Sequence, residues 1–171
     1  MLVDYEIKDL IEEHDMIENY TDLSIQIQSN GFDLCVDKLF AIKGKGRVTF
    51  DNKDRMIGKS AEIPVPDSGK WTLGRGVYKV QIKEITNMPP NVCAIARPRS
   101  SVMRNGADIV SGIWDCGYHG KSEVTLVVHT ERGFEVTPGA RICQLVFFEG
   151  EVPKALYDGD YQGENIENNN A

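Results

Sequence analysis

Apolar residues recur at every second position in short runs along this chain: Leu23, Ile25 and Ile27, then Tyr78, Val80 and Ile82, then Val124, Leu126 and Val128. A period of two sends alternate side chains to opposite faces of an extended segment, so each run reads as a half-buried strand. Between the runs lie Lys43-Gly44-Lys45-Gly46, Pro66-Asp67-Ser68-Gly69 and Pro138-Gly139, whose glycines and prolines favour tight turns. Many short strands joined by turns predict an all-β fold, a distorted jelly roll or β-sandwich. One short helix is expected before it: Asp4 is placed to cap a segment in which Ile7, Leu10, Ile11 and Ile17 recur at helical spacing, with Glu12, Glu13 and Asp15 on the other side. From Tyr157 to Ala171 the chain is acidic, glycine-bearing and finally asparagine-rich, which predicts a mobile arm. No repeat or long linker divides the 171 residues, so one domain is expected: an N-terminal helix in 1–20, a β core in 21–150 and a C-terminal arm in 151–171.

Composition narrows the class of partner. Hydrophobic residues make up 41% and charged residues 26%, as in ordinary globular domains. No apolar run approaches the roughly 20 residues needed to span a bilayer, and the first residues are too polar for a signal peptide, so no membrane association is expected and the cytoplasm is the expected compartment. Cys35, Cys93, Cys116 and Cys143 stand singly, without a C-x-x-C pair, and read as reduced thiols that mostly fill core. With 19 basic and 26 acidic residues the net charge is −7, which repels a phosphate polymer and argues against a nucleic-acid partner.

Two segments carry the chemistry. Arg97-Pro98-Arg99-Ser100-Ser101-Val102-Met103-Arg104 gathers three guanidiniums and two hydroxyls in an otherwise acidic protein. Guanidinium forks match phosphate oxygens and serine hydroxyls add donors, although a solvated basic turn would look the same in isolation. Gly112-Ile113-Trp114-Asp115-Cys116-Gly117-Tyr118-His119-Gly120 is a glycine-bounded turn offering a carboxylate, a phenol and an imidazole. A carboxylate beside apolar groups can serve as a general base toward water, whereas the plainer reading makes Asp115 an ordinary turn residue.

In this order and spacing, the two segments resemble the second and third motifs of the dUTPase/dCTP deaminase superfamily. Asn30-Gly31-Phe32-Asp33-Leu34 resembles its first motif, and Gly139-Ala140-Arg141-Ile142-Cys143-Gln144-Leu145-Val146-Phe147 its fourth. The resemblance implies that Asp115 activates the water that attacks the α-phosphorus, and that Tyr118 lies against the deoxyribose and excludes a 2′-hydroxyl. It also implies that Ser100 donates to the oxygen bridging the α- and β-phosphates, that Arg99 and Gln144 support the phosphate chain, that Asp33 holds waters of a triphosphate-bound Mg²⁺, and that Ser101, Arg104 and, in the tail, Tyr161 and Gln162 bind the substrate. A cyclic homotrimer whose sites are shared between neighbouring chains is the assembly that goes with the family.

The superfamily hydrolyses dUTP or deaminates dCTP. Its deaminases place a proton-handling glutamate ten positions after the motif-three aspartate; here that position is Thr125, with Glu123 two residues earlier. Hydrolysis of dUTP to dUMP and pyrophosphate is therefore expected, with dCTP deamination, alone or in addition, as the alternative. A non-catalytic β-sandwich that binds through the same surface is a third reading, against which Asp115 argues. The helix ahead of motif one, the double serine, Arg104 and a Tyr-Gln-Gly tail follow the deaminases and archaeal members more closely than ordinary trimeric dUTPases. Between Ala107 and Trp114 no side chain pairs a donor with an acceptor for a pyrimidine edge, so backbone groups there are expected to read the base. His119, Trp71 and Trp114 are expected to be structural.

Overall fold

The computed structural model describes residues 1–166. Along the chain run α1 (Asp4–His14), β1 (Ile17–Glu18), α2 (Leu23–Gln26), β2 (Ile27–Gln28), β3 (Gly31–Ile42), β4 (Ser60–Glu62), β5 (Trp71–Leu73), β6 (Gly76–Ile82) and β7 (Ile85–Asn87). They are followed by β8 (Val92–Pro98), α3 (Ser100–Arg104), β9 (Ala107–Val110), β10 (Ile113–Trp114), β11 (His119–Gly120), β12 (Glu123–Val128), β13 (Phe134–Val136) and β14 (Arg141–Glu149). Every strand pair is antiparallel. The principal sheet runs β10-β8-β14-β3-β6-β12-β9, with β2 and β4 paired to β3. This is the distorted all-β jelly roll expected of the alternating runs.

β3 holds the two halves of the fold together. Its first residues pair with β14 (Phe32 with Leu145, Asp33 with Gln144) and its later ones with β6 (Leu39 with Val80, Phe40 with Lys79). An irregularity in register between Val36 and Lys38 lies at the changeover, and an extra residue of this kind bends a strand and re-aims its side chains. Phe32, Leu34, Leu39, Val80, Ile82, Leu126, Leu145 and Phe147 are fully buried between the halves. Each such side chain contributes about 1.5–3 kcal/mol of transfer free energy. Gly31 is required where β3 meets β14, because a Cβ there would stand 2.1 Å from the Leu145 carbonyl oxygen.

Three local expectations are corrected. The cap of α1 is Val3, not Asp4: the Leu2 amide donates to Phe147 O at 2.9 Å, and Glu6 Oε2 accepts from the Val3 amide at 2.9 Å, so the helix begins one residue earlier. Ile17 leaves the helix after Asp15 takes a left-handed conformation, φ 51°, and pairs as β1 with Thr86. Leu23 and Ile25 form a single helical turn rather than a strand, because Asp22 Oδ1 accepts from the amides of Ser24 at 2.9 Å and Ile25 at 3.3 Å. That cap satisfies two otherwise open donors and outweighs three residues of alternation.

The segment expected as a mobile arm lies along the body as far as it is described, to Ile166. The Tyr157 amide donates to Cys116 O, the Gly163 amide to His119 O, and the Lys121 amide to Glu164 O. Residues 167–171 lie outside the described residues. All four cysteines are unpaired; Cys35 and Cys143 are buried, and burial pushes the Cys35 thiol up to about 12, so it stays an inert core group. Among the described residues no helix is long and apolar enough to cross a membrane.

Candidate active site

Neighbouring strands bring distant motifs into one row. Asp33 on β3 stands opposite Gln144 on β14, and Gln144 stands opposite Arg97 on β8. β8 ends at Pro98, which cannot donate a ladder hydrogen bond, and the chain turns at Arg99 into α3. The result is a cavity of about 590 Å³ lined by Asp33, Arg99, Ser100, Ser101, Arg104 and Gln144. All six residues expected at the phosphates, the substrate or the metal therefore meet, on two adjacent strands, β3 and β14, and the helical turn that follows β8. Arg97 is exposed outside it.

Asp33 is 1% exposed, and its Oδ2 lies 2.8 Å from Arg99 Nε and 3.1 Å from an Arg141 terminal nitrogen. Burial raises its ionisation above the ordinary carboxylate value, and the two guanidiniums oppose that rise. Arg141 also donates to Ile25 O at 2.7 Å. A buried carboxylate clasped in this way fixes the direction of two arginines. Both arginines take the same oxygen, so a cation bound directly to Oδ2 would have to displace them. Among the described residues no three His, Cys, Asp or Glu side chains are grouped to hold a metal ion. The donor set thus does not fit direct coordination of Mg²⁺ by the protein, and a contact through water at Asp33 is a separate matter.

A second cavity, of about 310 Å³, lies on the other half of the fold between β6, β10, β12 and the tail. Trp114 Nε1–H donates to Ser122 Oγ at 2.7 Å, Ser122 and Tyr118 share a bond of 3.0 Å, and the Tyr118 phenol donates to Glu164 Oε1 at 2.8 Å. With Tyr118 giving its proton to Glu164, Ser122 gives its own to Tyr118, so the chain of donors runs one way. Burial pushes the Tyr118 phenol well above its ordinary range and raises the Glu164 carboxyl, which the bond from Tyr118 pulls back down. Tyr157 packs edge-on against Tyr118, ring centroids 5.6 Å apart. Tyr161 lines this cavity, together with Lys79, Glu123 and Thr125.

Asp115 lines neither cavity. It is exposed at the first position of the turn closed by the Tyr118 amide on Asp115 O at 3.0 Å. Its carboxylate makes no hydrogen bond among the described residues. The turn demands Gly117, which has φ 83° and whose added Cβ would stand 2.8 Å from Leu156 Cβ. β10 and β11 do not pair across this turn, as a hairpin would; β10 pairs with β8 and β11 with β7. Gln162 bridges the same turn, accepting from the His119 amide at 2.9 Å and donating to Gly117 O at 3.0 Å, and so ties the tail to motif three. Trp71 and Trp114 are buried, their indole N–H groups satisfied by Ile63 O and Ser122.

The structure thus splits the predicted residues in two: the phosphate-type set in one cavity, Tyr118 and Tyr161 at another, with Asp115 exposed on the turn between Trp114 and Tyr118. Lys79, Ser122 and Glu164 were not singled out from sequence. Each is an ordinary polar residue within or beside a strand or tail, and only strand pairing and tail packing reveal its company.

These features, an antiparallel jelly roll with an arginine-serine cradle and an aspartate turn, define a class of nucleotide-acting β proteins. A family described as dCTP deaminase-like matches residues 1–150, and the chain belongs to that family. A relative from Archaeoglobus fulgidus, named as a probable deoxyuridine 5′-triphosphate nucleotidohydrolase, is 42% identical over 163 residues, 95% of each chain. The deoxyuridine 5′-triphosphate nucleotidohydrolase of Methanocaldococcus jannaschii is 38% identical over 139 residues, 81% of this chain and 88% of that one. The 2′-deoxycytidine 5′-triphosphate deaminase of Agrobacterium tumefaciens shares the fold with a TM-score of 0.64 at 24% identity, over 87% of this chain and 47% of that one.

Proposed function

We propose that the protein hydrolyses dUTP to dUMP and pyrophosphate at a site assembled by neighbouring copies of the chain in a homotrimer. The observation that carries hydrolysis over deamination is Thr125. It lines the smaller cavity at the position where the family's deaminases carry their glutamate, and a threonine hydroxyl is a poor proton carrier at neutral pH. The archaeal relatives named for dUTP hydrolysis support the same choice.

The cradle of one copy holds the triphosphate: Arg99 and Arg104 neutralise charge, Ser100 and Ser101 donate to phosphate oxygens, and Gln144 supports the chain of phosphates. Mg²⁺ enters with the triphosphate as a chelate, which suits a cation that keeps most of its waters. The neighbouring copy supplies Asp115 as general base, and the deoxyribose and base lie in its smaller cavity beside Tyr118. Ile113, two residues before Asp115, and its strand partner Ile95 are exposed apolar side chains, which supports a covered face there. The four unpaired cysteines support a reducing, cytoplasmic setting.

The test is product analysis after incubation with dUTP, dCTP, dTTP and UTP in Mg²⁺. Pyrophosphate and dUMP from dUTP, with the other three intact, is the expected result. Ammonia released from dCTP at a comparable rate would replace this reading with the deaminase one.

A further inference from the structure

The polar groups of the smaller cavity fall into two sets. Trp114, Ser122, Tyr118 and Glu164 satisfy one another. Among the described residues Lys79 and Glu123 share no hydrogen bond with that chain, although their charges act on Glu164. Lys79 on β6 is directly opposite Thr125 on β12, and Glu123 is one diagonal step away. Lys79 Nζ lies 2.8 Å from both oxygens of Glu123 and 4.6 Å from the Phe40 ring centroid, so the ammonium is held from two sides. β12 buries Val124, Leu126 and Val128 and leaves Glu123 and Thr125 half-exposed at the cavity. An ammonium has three N–H donors and a carboxylate about four lone-pair positions, so both groups keep capacity after pairing with each other.

We propose that the Lys79–Glu123 pair, rather than the backbone groups between Ala107 and Trp114 expected from the sequence, reads the edge of the uracil base, the ammonium donating to O4 and the carboxylate accepting from N3–H. The inference rests on the dUTP reading above and names the groups that select the base within it. Uracil presents an acceptor beside a donor, which a donor and an acceptor held side by side match. Cytosine, held by the same sugar and phosphates, turns an amino group toward the ammonium and a bare nitrogen toward the carboxylate. Both contacts then oppose like with like in a pocket floored by Trp114 and Val124, where unpaired polar groups are costly. A glutamate in place of Thr125 would face Lys79 and compete with Glu123 for it; threonine leaves the pair exclusive. As a surface ion pair alone, two half-exposed side chains would contribute little.

Kinetics of the full chain with Lys79→Met and Glu123→Gln test this, together with inhibition by dCTP and by inorganic tripolyphosphate, which has the charge of the substrate without its base. Lys79→Met should raise KM for dUTP about 10- to 100-fold, the worth of one hydrogen bond to a charged group. Glu123→Gln, which keeps size and shape, should tighten inhibition by dCTP because its amide can donate to the cytosine nitrogen. Tripolyphosphate should inhibit both variants as it inhibits the parent. The pair is ruled out as the base reader if the parent hydrolyses dUTP while both variants keep its KM and dCTP inhibition, or if tripolyphosphate inhibition weakens in step. A parent without dUTP turnover would overturn the hydrolase reading, and this inference with it.

Discussion

Asp115 makes no hydrogen bond through its carboxylate, whereas Asp33 is clasped by Arg99 and Arg141, and the contrast follows from where the backbone places each. In the proposed trimer this exposed, unengaged carboxylate is the group that would meet the phosphates of a second copy. Asp115→Asn should therefore lower turnover by about 10²–10⁴ while melting temperature and binding of a non-hydrolysable dUTP analogue persist. Near-parental turnover would make the residue a turn former only. Asp33 instead orients arginines, so Asp33→Asn should raise KM for dUTP and leave the Mg²⁺ concentration at half-maximal rate in place; a shift of that concentration would return the carboxylate to the metal. Glu84 is fully buried, accepting from Gln26 Nε2 at 2.7 Å and the Cys35 amide at 2.9 Å, and burial raises its carboxyl above 4.5. A raised acid binds its proton more tightly folded than unfolded, so its contribution to stability falls as pH climbs from 4.5 through the folded value. Melting temperatures measured from pH 4.5 upward should drop for the parent relative to Glu84→Gln, and a gap constant with pH would show that Glu84 does not titrate in that range.

The tail makes contacts with the body that its composition does not reveal. Leu156 meets Gly117, Tyr157 packs on Tyr118, and beyond them Tyr161, Gln162 and Glu164 reach the cavity and its turn. Removal from Tyr157 onward, harmless to stability if the segment hung free, should now cost stability because it strips a ring from the Tyr118 face. Removal from Asp158 onward spares that ring. It should leave the melting temperature within a few degrees, on the order of 1 kcal/mol or less, and still reduce turnover, since Tyr118 and Ser122 lose their cover. Full turnover after the shorter deletion would separate the tail from the reaction.

At the scale of the whole molecule, cradle and base pocket share no lining residue within one chain, and assembly is what would join them. Ser100→Ala and Asp115→Asn alter opposite halves of the proposed site, and each alone should be nearly inactive. Mixed after co-refolding, they should recover activity, because about a quarter of the sites in randomly mixed cyclic trimers would combine an intact Ser100 with an intact neighbouring Asp115. Light scattering should give three times the chain mass. A mixture no more active than its components, or an active monomer, would require a site within one chain.

Residue types and the strand period were legible in the sequence alone: the alternation at Tyr78–Ile82 and Val124–Val128 reads as strand because burial of one face forces a period of two. The four motifs were legible because their residues are contiguous, so the cradle's arginines and serines could be named without knowing their neighbours. Short elements were not, since at Asp4 and Leu23 a cap bond or a tether to Phe147 outweighed a few residues of pattern. The company each residue keeps was decided only by tertiary structure. Asp33 meets Arg141, Lys79 meets Glu123 and Tyr118 meets Glu164 through strand register and chain packing across long sequence separations, and a linear pattern contains no register between strands that are not neighbours in it.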